Sequence, residues 1–355
     1  MNLAAAPEPS RPLARHRRYD VTCVGNALMD HLAFADYTVL DELGLVPGAM
    51  TLVDVPTTQR IGRRLGSVQQ VPGGTVTNTA VGIASLGGSP AFVGAVACDE
   101  LGDRYAADLE AAGVAAVLER LPLDPDDVEA ATGRCFVVIT PDAERTMATA
   151  LGAGGRLDRS GIERGVLEAA SLVYFDGYLL DLPDAAAIVE RILAVTRASG
   201  TALAVGLADA MLVERHRATL GALLVDGVDF VFANESEVLA ISGEPSVGGA
   251  LESMRRPGLV VVATCGPDGA LVATDGGISE VPAFPVAHPV DRTGAGDLFA
   301  AGFCFGVTHG ADLAGAASLG SLAAAEVIAH IGARPETSLA VLAADAGLLP
   351  VPADR

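Results

Sequence analysis

The sequence contains no lysine, and all 23 of its basic residues are arginine. A Walker A phosphate loop, a protein-kinase core, a pyridoxal enzyme and a Schiff-base aldolase each require a lysine amine. These four classes are therefore excluded in their standard forms. A genomic bias towards arginine codons is the simplest account of the absence itself, and the exclusions hold either way.

Patterns for metal binding, disulfides and membrane insertion are also missing. The five cysteines (Cys23, Cys98, Cys135, Cys265 and Cys304) are far apart, and there is no CxxC pair and no HExxH motif. Structural zinc and a disulfide framework are therefore unsupported. The apolar runs stay below the roughly 18–20 residues that span a bilayer, and the N-terminus lacks the apolar core of a signal peptide. We expect a cytoplasmic protein with no membrane partner.

Charge of one sign dominates, with a formal net charge of −21. A surface this acidic repels phosphate backbones, so we expect no nucleic-acid partner. Any phosphate site must then be built locally, from backbone N–H groups or from single arginines.

The chain has 355 residues, half of them apolar, which suits one large α/β domain with at most a small appendage. After a tail at residues 1–18, which we interpret as disordered, short β-rich runs alternate with helical patterns. This alternation predicts a mostly parallel sheet covered by helices on both faces, over residues 19–345.

Two stretches, residues 31–55 and 131–150, fit the alternation less well and look like strand or hairpin material. Within the second, PDAE is a plausible turn between two extended runs. We expect the two stretches to pair into a small β-appendage. The exposed edges of such strands can pair between subunits, so a homodimer through the appendage is a further expectation.

The stretch VDRTGAGDLFAAGF (290–303) places an acid behind a glycine turn and at the start of an apolar helix. At Gly294, Ala295 and Gly296 the backbone can approach an anion closely, because N–H groups at a helix N-terminus point outwards. Asp297, in the first turn, is placed to take a proton from a nearby hydroxyl. The pattern favours phosphoryl transfer, although a glycine turn followed by an acid can also be purely structural.

Other candidates come from the ends of the predicted strands, because ligands of parallel sheets bind beyond the carboxyl ends of their strands. The polar residues there are Asn26, Asp30, Asp209, Asn234–Glu237 and Thr264–Gly269. On this evidence alone, roles in turns, helix caps or solvent-facing loops stay open for each of them.

The pattern D-x-T-G-A-G-D-x-F-x-A-G-F, from Asp291 to Phe303, closely resembles the C-terminal signature of the ribokinase-like (PfkB) carbohydrate kinases. Further stretches that resemble the family, in its order, are GNALMD (25–30), PGGTVTNTAVGIASLGG (72–88), ANESEV (233–238), TCGPDGA (264–270) and GSLAAAEVIAHIGA (320–333). The resemblance covers nearly the whole chain after the tail. Stretches such as TPDAERTMAT (140–149) look most like bacterial adenosine kinase-like members.

The resemblance implies a ribokinase-like three-layer α/β/α fold with a small β-sheet lid, formed by the segments near 31–55 and 131–150. It also implies an ATP- and Mg²⁺-dependent phosphotransferase, with Asp297 as the base and Gly294, Ala295 and Gly296 as the anion hole. The lid would exclude water that could otherwise accept the phosphoryl group.

The same resemblance assigns binding roles to residues that match the family's motifs. The substrate would be held by Asn26, Asp30, Gly73, Gly74 and Asn78. ATP would be held by Asn234, Thr264, Gly266, Gly269 and Ser321, and Glu237 would hold Mg²⁺ through water. Asp291 and Thr293 match positions that bind a monovalent cation such as K⁺ in many relatives, although Arg292 between them departs from the common pattern.

Three functions remain open at this point. The first is phosphorylation of a primary hydroxyl of a nucleoside, adenosine first among them. The second is the same chemistry on a free sugar or sugar acid, such as ribose, fructose or 2-keto-3-deoxygluconate; the scarcity of aromatic residues in the appendage (Phe34, Tyr37 and Phe136) favours it. The third is a non-catalytic nucleotide- or sugar-binding protein, against which an intact Asp297 argues.

Overall fold

The structure, a computed structural model, describes Leu13 and residues 17–350 except Ser67 and Ala143, and omits the side chain of Asp226. Residues 1–12 and 14–16, most of the predicted tail, lie outside the described residues. Arg17, near the end of that tail, donates hydrogen bonds to the carbonyls of Glu168, Ala170 and Ser199.

The strands of the described residues belong to two sheets. In chain order they are β1 (Tyr19–Val24), β2 (Leu28–Phe34), β3 (Met50–Leu52), β4 (Gln69–Gly73), β5 (Pro90–Ala97), β6 (Ala115–Leu121), β7 (Thr132–Ile139), β8 (Arg145–Gly152), β9 (Ala170–Asp176), β10 (Ala202–Gly206), β11 (Phe230–Asn234), β12 (Val260–Thr264), β13 (Ala270–Thr274) and β14 (Gly277–Val281).

The larger sheet, as far as the chain is described, has the order β14-β13-β12-β11-β10-β9-β1-β5-β6. The strands from β12 to β6 run parallel to one another. Only at the other edge of this described sheet do antiparallel pairs occur, between β12 and β13 and between β13 and β14. The mostly parallel sheet predicted from the sequence is confirmed.

The helices of the described residues connect these strands. They are α1 (Tyr37–Leu43), α2 (Val55–Leu65), α3 (Thr75–Ser85), α4 (Glu100–Ala111), α5 (Arg164–Glu168), α6 (Ala185–Ser199), α7 (Ala210–Arg215), α8 (Arg217–Asp226), α9 (Glu235–Ser242), α10 (Val247–Met254), α11 (Ala295–Thr308), α12 (Leu313–Val327) and α13 (Leu339–Asp345). Short 3₁₀ turns span Val128–Ala130, Ala153–Arg156, Gly177–Asp181 and Gly266–Asp268. Across the described residues, every helix is too short or too polar to span a bilayer.

Alternate side chains of each central strand enter two separate hydrophobic cores. Along β9, Leu172 and Tyr174 pack with α3, α4 and α11–α13, whereas Val173 and Phe175 pack with α5–α10. All four side chains are buried, and burial of a large apolar side chain contributes about 1.5–3 kcal/mol. The period-2 pattern of the strands therefore produces the three-layer α/β/α arrangement that the sequence predicts.

The smaller sheet has the order β3-β8-β7-β2-β4 within the described chain. β2 pairs in parallel with β7, and β3 pairs in parallel with β8, so both predicted stretches contribute to one small sheet. β7 and β8 form an antiparallel hairpin between Ile139 and Arg145, where the sequence predicts a turn. The smaller β-sheet is confirmed, whereas its role as a lid remains a prediction.

The boundaries of the predicted lid stretches need correction. Part of the stretch 31–55 is the helix α1, and β4 lies outside both stretches. The sequence of β4, QQVPG, is a weak strand signal because it carries a proline and a single β-branched residue. On the outer face of the small sheet, Leu40 of α1 and Ile61 of α2 pack against Phe136.

The two sheets meet at the carboxyl ends of the parallel strands. β1 ends at Val24 and the chain enters the small sheet at Leu28. It leaves β4 at Gly73, and α3 begins at Thr75. β1 lies between β9 and β5, so the strand order reverses there. Open α/β sheets bind their ligands at such a switch point.

Candidate active site

A cavity of about 1020 Å³ lies between the two sheets and reaches the N-terminus of α11. Its polar wall, here called the cavity wall, consists of Asn26, Asp30, Gly74, Thr75, Asn78, Asp176, Thr293, Gly294 and Asp297. Its apolar roof, formed by the small sheet, includes Leu28, Leu32, Phe34, Val71, Val137, Ile139 and Met147. The structure thus brings most of the predicted substrate and catalytic residues to one cavity.

Gly294 precedes α11 with a φ of 78°, in the left-handed region. A Cβ at this position would lie 2.8 Å from the backbone of Ala333, so glycine is required both by conformation and by space. Ala295 N–H donates to the Arg292 carbonyl at 3.3 Å. Within the described chain, the N–H groups of Gly294, Gly296 and Asp297 have no hydrogen-bond partner, so they are available to an anion at this helix N-terminus.

The carboxylate of Asp297 faces the cavity in the first turn of α11. Asn78 Nδ2 donates to Asp297 Oδ2 at 2.9 Å, and Thr79 Oγ1 donates to the Asp297 carbonyl at 3.1 Å. Burial raises the pKa of Asp297 to about 7, although the Asn78 hydrogen bond lowers it and the charges of Asp176 and Asp30 add to the rise. An acid with a pKa near neutrality is suited to general-base chemistry.

Asp30 lies on β2 and faces the same cavity. Gly73 of β4 is paired with Leu28 and lies beside the Asp30 side chain, so any Cβ at Gly73 would overlap the Asp30 carboxylate. Burial raises the pKa of Asp30 to about 7, against the lowering effect of Arg334 and Arg145 nearby. The charges of these two arginines therefore favour the ionised form of Asp30, and Gly73 leaves room for its carboxylate.

The amide oxygens of Asn26 and Asn78 are buried and have no hydrogen-bond partner in the described part of the chain. The orientation of Asn78 is fixed because its nitrogen donates to Asp297. Buried acceptors without partners are costly. Both oxygens belong to residues of the cavity wall, so a ligand with hydroxyl groups would satisfy them.

Asp176 is a cavity-wall residue that the sequence analysis missed. It ends β9, and its carboxylate accepts a hydrogen bond from Thr75 Oγ1 at the start of α3. Burial raises its pKa to about 6, although the Thr75 hydrogen bond lowers it. An acid at the carboxyl end of the apolar run LVYF was the available signal. The same helix, α3, thus contacts Asp176 through Thr75 and Asp297 through Asn78.

The predicted nucleotide residues do not line this cavity. Asn234, Glu237, Thr264, Gly266 and Gly269 lie instead at the ends of the neighbouring strands β11 and β12, and we call this group the β11–β12 edge. Asn234 and Thr264 are directly paired across the two strands. Gly266 and Gly269 have φ angles of 54° and 96° in the tight turn into β13.

Asn234 and Glu237 form a capping box at the start of α9. Asn234 Oδ1 accepts from Glu237 N–H at 3.0 Å, while Glu237 accepts from Asn234 N–H at 3.0 Å and from Nδ2 at 2.6 Å. Burial raises the pKa of Glu237 to about 7. The helix cap that the sequence left open is therefore present, and it also fixes the carboxylate of Glu237.

Ser321 lies on α12, away from the cavity. Its hydroxyl accepts from Phe284 N–H at 2.6 Å and donates to the Pro282 carbonyl at 3.4 Å. These contacts hold the segment that follows β14. The nucleotide role of Ser321 stays a prediction.

The donor sets for metals are sparse. Among the described residues, no group of three or more His, Cys, Asp or Glu side chains is placed to hold a metal ion. Glu237 fits a hydrated Mg²⁺, because its carboxylate keeps lone pairs beyond the two hydrogen bonds from Asn234 and because Mg²⁺ usually keeps several waters. Asp291 does not fit a monovalent cation, since its carboxylate is paired with Arg145.

Two aromatic side chains, Phe34 and Tyr178, line the cavity. Of the aromatic residues considered in the sequence, Phe34 lines the cavity and is exposed, whereas Phe136 stacks on His31 at 4.6 Å on the other face of the small sheet. Tyr178, which the sequence analysis did not consider, also lines the cavity. Burial raises the pKa of Tyr178, and the charges of Asp176, Asp209, Asp297 and Glu237 raise it further.

Comparison with known proteins decides the family. Residues 46–339 match the pfkB family carbohydrate kinases. The chain belongs to the PfkB family of carbohydrate kinases. Membership makes it a kinase that acts on a small-molecule nucleoside or sugar, and it implies ATP as phosphoryl donor, usually with Mg²⁺.

Solved structures and curated relatives place this PfkB kinase among nucleoside and sugar kinases. Adenosine kinase from Sinorhizobium meliloti is 38% identical with a TM-score of 0.86, over 93% of this chain and 99% of that one. A protein from Rhizobium etli described as a probable sugar kinase is 35% identical with a TM-score of 0.86, over 94% and 100%. Adenosine kinase from Saccharomyces cerevisiae is 26% identical over 87% of this chain and 94% of its own.

Proposed function

We propose that this PfkB kinase transfers the γ-phosphate of ATP to a primary hydroxyl of a nucleoside resembling adenosine. The observation that carries the proposal is the cavity at Asp297. It combines a polar wall suited to ribose hydroxyls with an apolar roof suited to a base, in a volume of about 1020 Å³. The likeness to adenosine kinases supports the same substrate class.

In this proposal Asp297 is the general base. The acceptor hydroxyl gives its proton to the Asp297 carboxylate while its oxygen bonds to the γ-phosphorus and the bond from that phosphorus to ADP breaks. Asn78 holds the carboxylate at 2.9 Å during the transfer. The free N–H groups of Gly294, Gly296 and Asp297 would stabilise the charge on the migrating phosphoryl group, with Ala295 completing the turn.

The substrate would be held by its ribose hydroxyls. Asp30 would accept hydrogen bonds from two of these hydroxyl groups. The unpartnered oxygens of Asn26 and Asn78 would each accept one further hydrogen bond. Gly73 leaves space for the Asp30 carboxylate, Gly74 lines the cavity where the ring would lie, and Phe34 and Tyr178 offer apolar surface to a base.

ATP would bind across the β11–β12 edge, whose residues follow adjacent strand ends. Mg²⁺, held by Glu237 through water, neutralises charge on the phosphates when bound. Thr264 with the turn at Gly266 and Gly269 would lie along the nucleotide, and Asn234 keeps Glu237 in place. The small sheet would act as the lid of a kinase domain that spans residues 19–345.

One observation favours a second candidate, a sugar acid. Arg334 lines the cavity beside Asp30, and its Nε and Nη2 atoms are buried without a partner in the described part of the chain. A substrate carboxylate would satisfy both atoms in a bidentate pair. The same guanidinium also pairs with Asp108 through Nη1, so part of its charge is already offset.

The test is a screen of ADP release with Mg·ATP over nucleosides, pentoses, hexoses and keto-sugar acids. We expect adenosine or a close analogue to give the highest kcat/KM. Highest activity on a sugar acid would support the second candidate, in which Arg334 binds the substrate carboxylate. Activity on no nucleoside would contradict the proposal. Asp297→Asn serves as the control that any ADP release comes from this site.

A further inference from the structure

Asp291 lies in the loop before the anion-binding turn, and protein groups already occupy its carboxylate. Oδ1 accepts from Thr293 N–H at 3.0 Å, and Oδ2 accepts from Gly332 N–H at 2.8 Å. Oδ2 also forms an ion pair with Arg145. A carboxylate offers about four lone-pair sites, so these three donors leave little for a cation.

Arg145 reaches Asp291 from another part of the molecule. It is the first residue of β8 in the small sheet, and its side chain is only 13% exposed. It lies between the main cavity and a second one of about 640 Å³, which is lined by residues 289–293. A guanidinium group remains charged at any pH the protein tolerates.

The charges around this ion pair disfavour an additional cation. Arg292, beside Asp291 on the same loop, is exposed and also positive. Arg145 and Arg334 are also close enough to Asp30, in the main cavity, to lower its pKa. A monovalent cation at Asp291 would therefore face a guanidinium of the same sign and a carboxylate that is already neutralised.

We propose that Arg145 takes the place of a monovalent cation at Asp291, so that this kinase works without K⁺. The guanidinium offsets the negative charge of Asp291 just behind the turn at Gly294. That turn's N–H groups then act on the phosphoryl group without an opposing carboxylate charge behind them. Because Arg145 belongs to the small sheet, its charge is present whenever that sheet lies over the cavity.

The first test measures the melting temperature of the full chain, without substrate, in KCl, NaCl and tetramethylammonium chloride at equal ionic strength. We expect the same melting temperature in all three salts. Rates of ADP release should likewise differ by less than about twofold between K⁺ and tetramethylammonium. A K⁺-specific rise in melting temperature, or a large activation by K⁺, would overturn the proposal.

The second test uses Arg145→Ala, which removes the ion-pair partner of Asp291 Oδ2 and leaves only the hydrogen bond from Gly332 N–H on that oxygen. This variant should gain a K⁺-specific rise in melting temperature and a roughly tenfold K⁺ activation that the parent lacks. Arg292→Ala is the matched control. It removes an exposed arginine from the loop that contains Asp291, and it leaves the ion pair between Arg145 and Asp291 intact. If Arg145→Ala does not fold, Arg145→Gln keeps most of the side-chain length and removes the positive charge.

If K⁺ changes neither the melting temperature nor the rate of the Arg145 variants, the proposal is contradicted, because Arg145 is then not the group that excludes the cation. The rate measurements rest on the proposed phosphotransfer, whereas the melting temperatures do not. A chain that is inactive on every acceptor but shows the expected melting behaviour would refute the proposed function and leave this inference standing.

Discussion

On the cavity wall the amide oxygens of Asn26 and Asn78 have no partner within the described chain, whereas on the β11–β12 edge Asn234 and Glu237 bond to each other. Both regions contain an acid whose pKa burial raises to about 7, Asp297 in the first and Glu237 in the second. In the cavity two acidic neighbours, Asp176 and Asp30, raise the pKa of Asp297 further, whereas Asp209 alone does so for Glu237.

The difference shows where the protein gives up stability for a ligand. Unsatisfied acceptors and repelling acids on the cavity wall are costly until hydroxyl groups fill the cavity. The capping box on the β11–β12 edge stabilises the fold whether or not a ligand is bound. Substitutions in the cavity should therefore reduce function more than stability, and substitutions at the edge should reduce both.

The largest expected effect separates the two regions directly. Asp297→Asn should lower kcat by at least about 10²-fold, because the general base is lost. The melting temperature should not fall, because a buried charge is removed while Asn78 can still donate to the new side chain. Steady-state kinetics and thermal melting measure the two quantities.

Asp312→Asn is the matched control for this experiment. Asp312 caps the next helix, α12, by accepting from Gly315 N–H, and asparagine caps equally well. Its kcat should be that of the parent. Near-normal turnover in Asp297→Asn would remove Asp297 from the chemistry.

The second prediction concerns the partition of the site. Asp30→Ala should raise KM for the acceptor by roughly 10–100-fold, because hydrogen bonds to a charged group contribute about 1.5–3 kcal/mol. KM for ATP should change little. Asp36→Ala is the control, because Asp36 precedes α1, near the small sheet, and its side chain makes no cap hydrogen bond. This variant should change neither KM. Equal effects of Asp30→Ala on both substrates would show that the two regions are not separate.

The third prediction tests the coupling between the cavity acids. Asp297 must be deprotonated to act as a base, so kcat/KM should rise with pH through about 7. Asp176→Asn removes a negative neighbour, which lowers the pKa of Asp297. The acid limb of the pH profile should therefore move to lower pH. An unchanged acid limb would show that Asp176 does not act on the base.

The same variant changes stability in a pH-dependent way. The folded-state pKa of Asp176 is raised to about 6, so the parent loses stability as the pH rises from about 4 to about 6. Asp176→Asn does not incur that loss, which is on the order of 2–3 kcal/mol. Its melting temperature should exceed that of the parent at pH 8, and the difference should shrink towards pH 4.

The smallest effect is expected at the β11–β12 edge. Asn234→Ala removes the helix cap and should cost about 1 kcal/mol in the free energy of unfolding. KM for ATP should rise, because Glu237 loses the partner that holds it. Chemical denaturation and nucleotide titration measure both. A stability equal to that of the parent would erase the contrast between the two regions.

The sequence predicts the features that depend on local pattern. The parallel sheet follows from alternating apolar runs, and the helix start at Ala295 follows from the glycine turn before it. It misses features that depend on distant contacts. Asp176 reaches Thr75 across 101 residues, and Arg145 reaches Asp291 across 146. Neither pairing leaves a periodic signal in the sequence.

Local signals also fail where tertiary packing overrides propensity. The short helix α1 covers the outer face of the small sheet, and β4 is a strand because β2 provides a partner for it. The anion hole at Gly294, Ala295 and Gly296 stays a prediction, and the N–H of Ala295 donates to the Arg292 carbonyl. The predicted dimer through the small sheet stays a prediction.

The most direct test of the central claim is to identify the product formed from Mg·ATP and adenosine, by mass spectrometry and ³¹P NMR, with 5′-deoxyadenosine as the matched control. We expect adenosine 5′-monophosphate and stoichiometric ADP from adenosine, and no ADP above background from the deoxy analogue. Equal ADP release from both compounds, or phosphate on another hydroxyl, would contradict it.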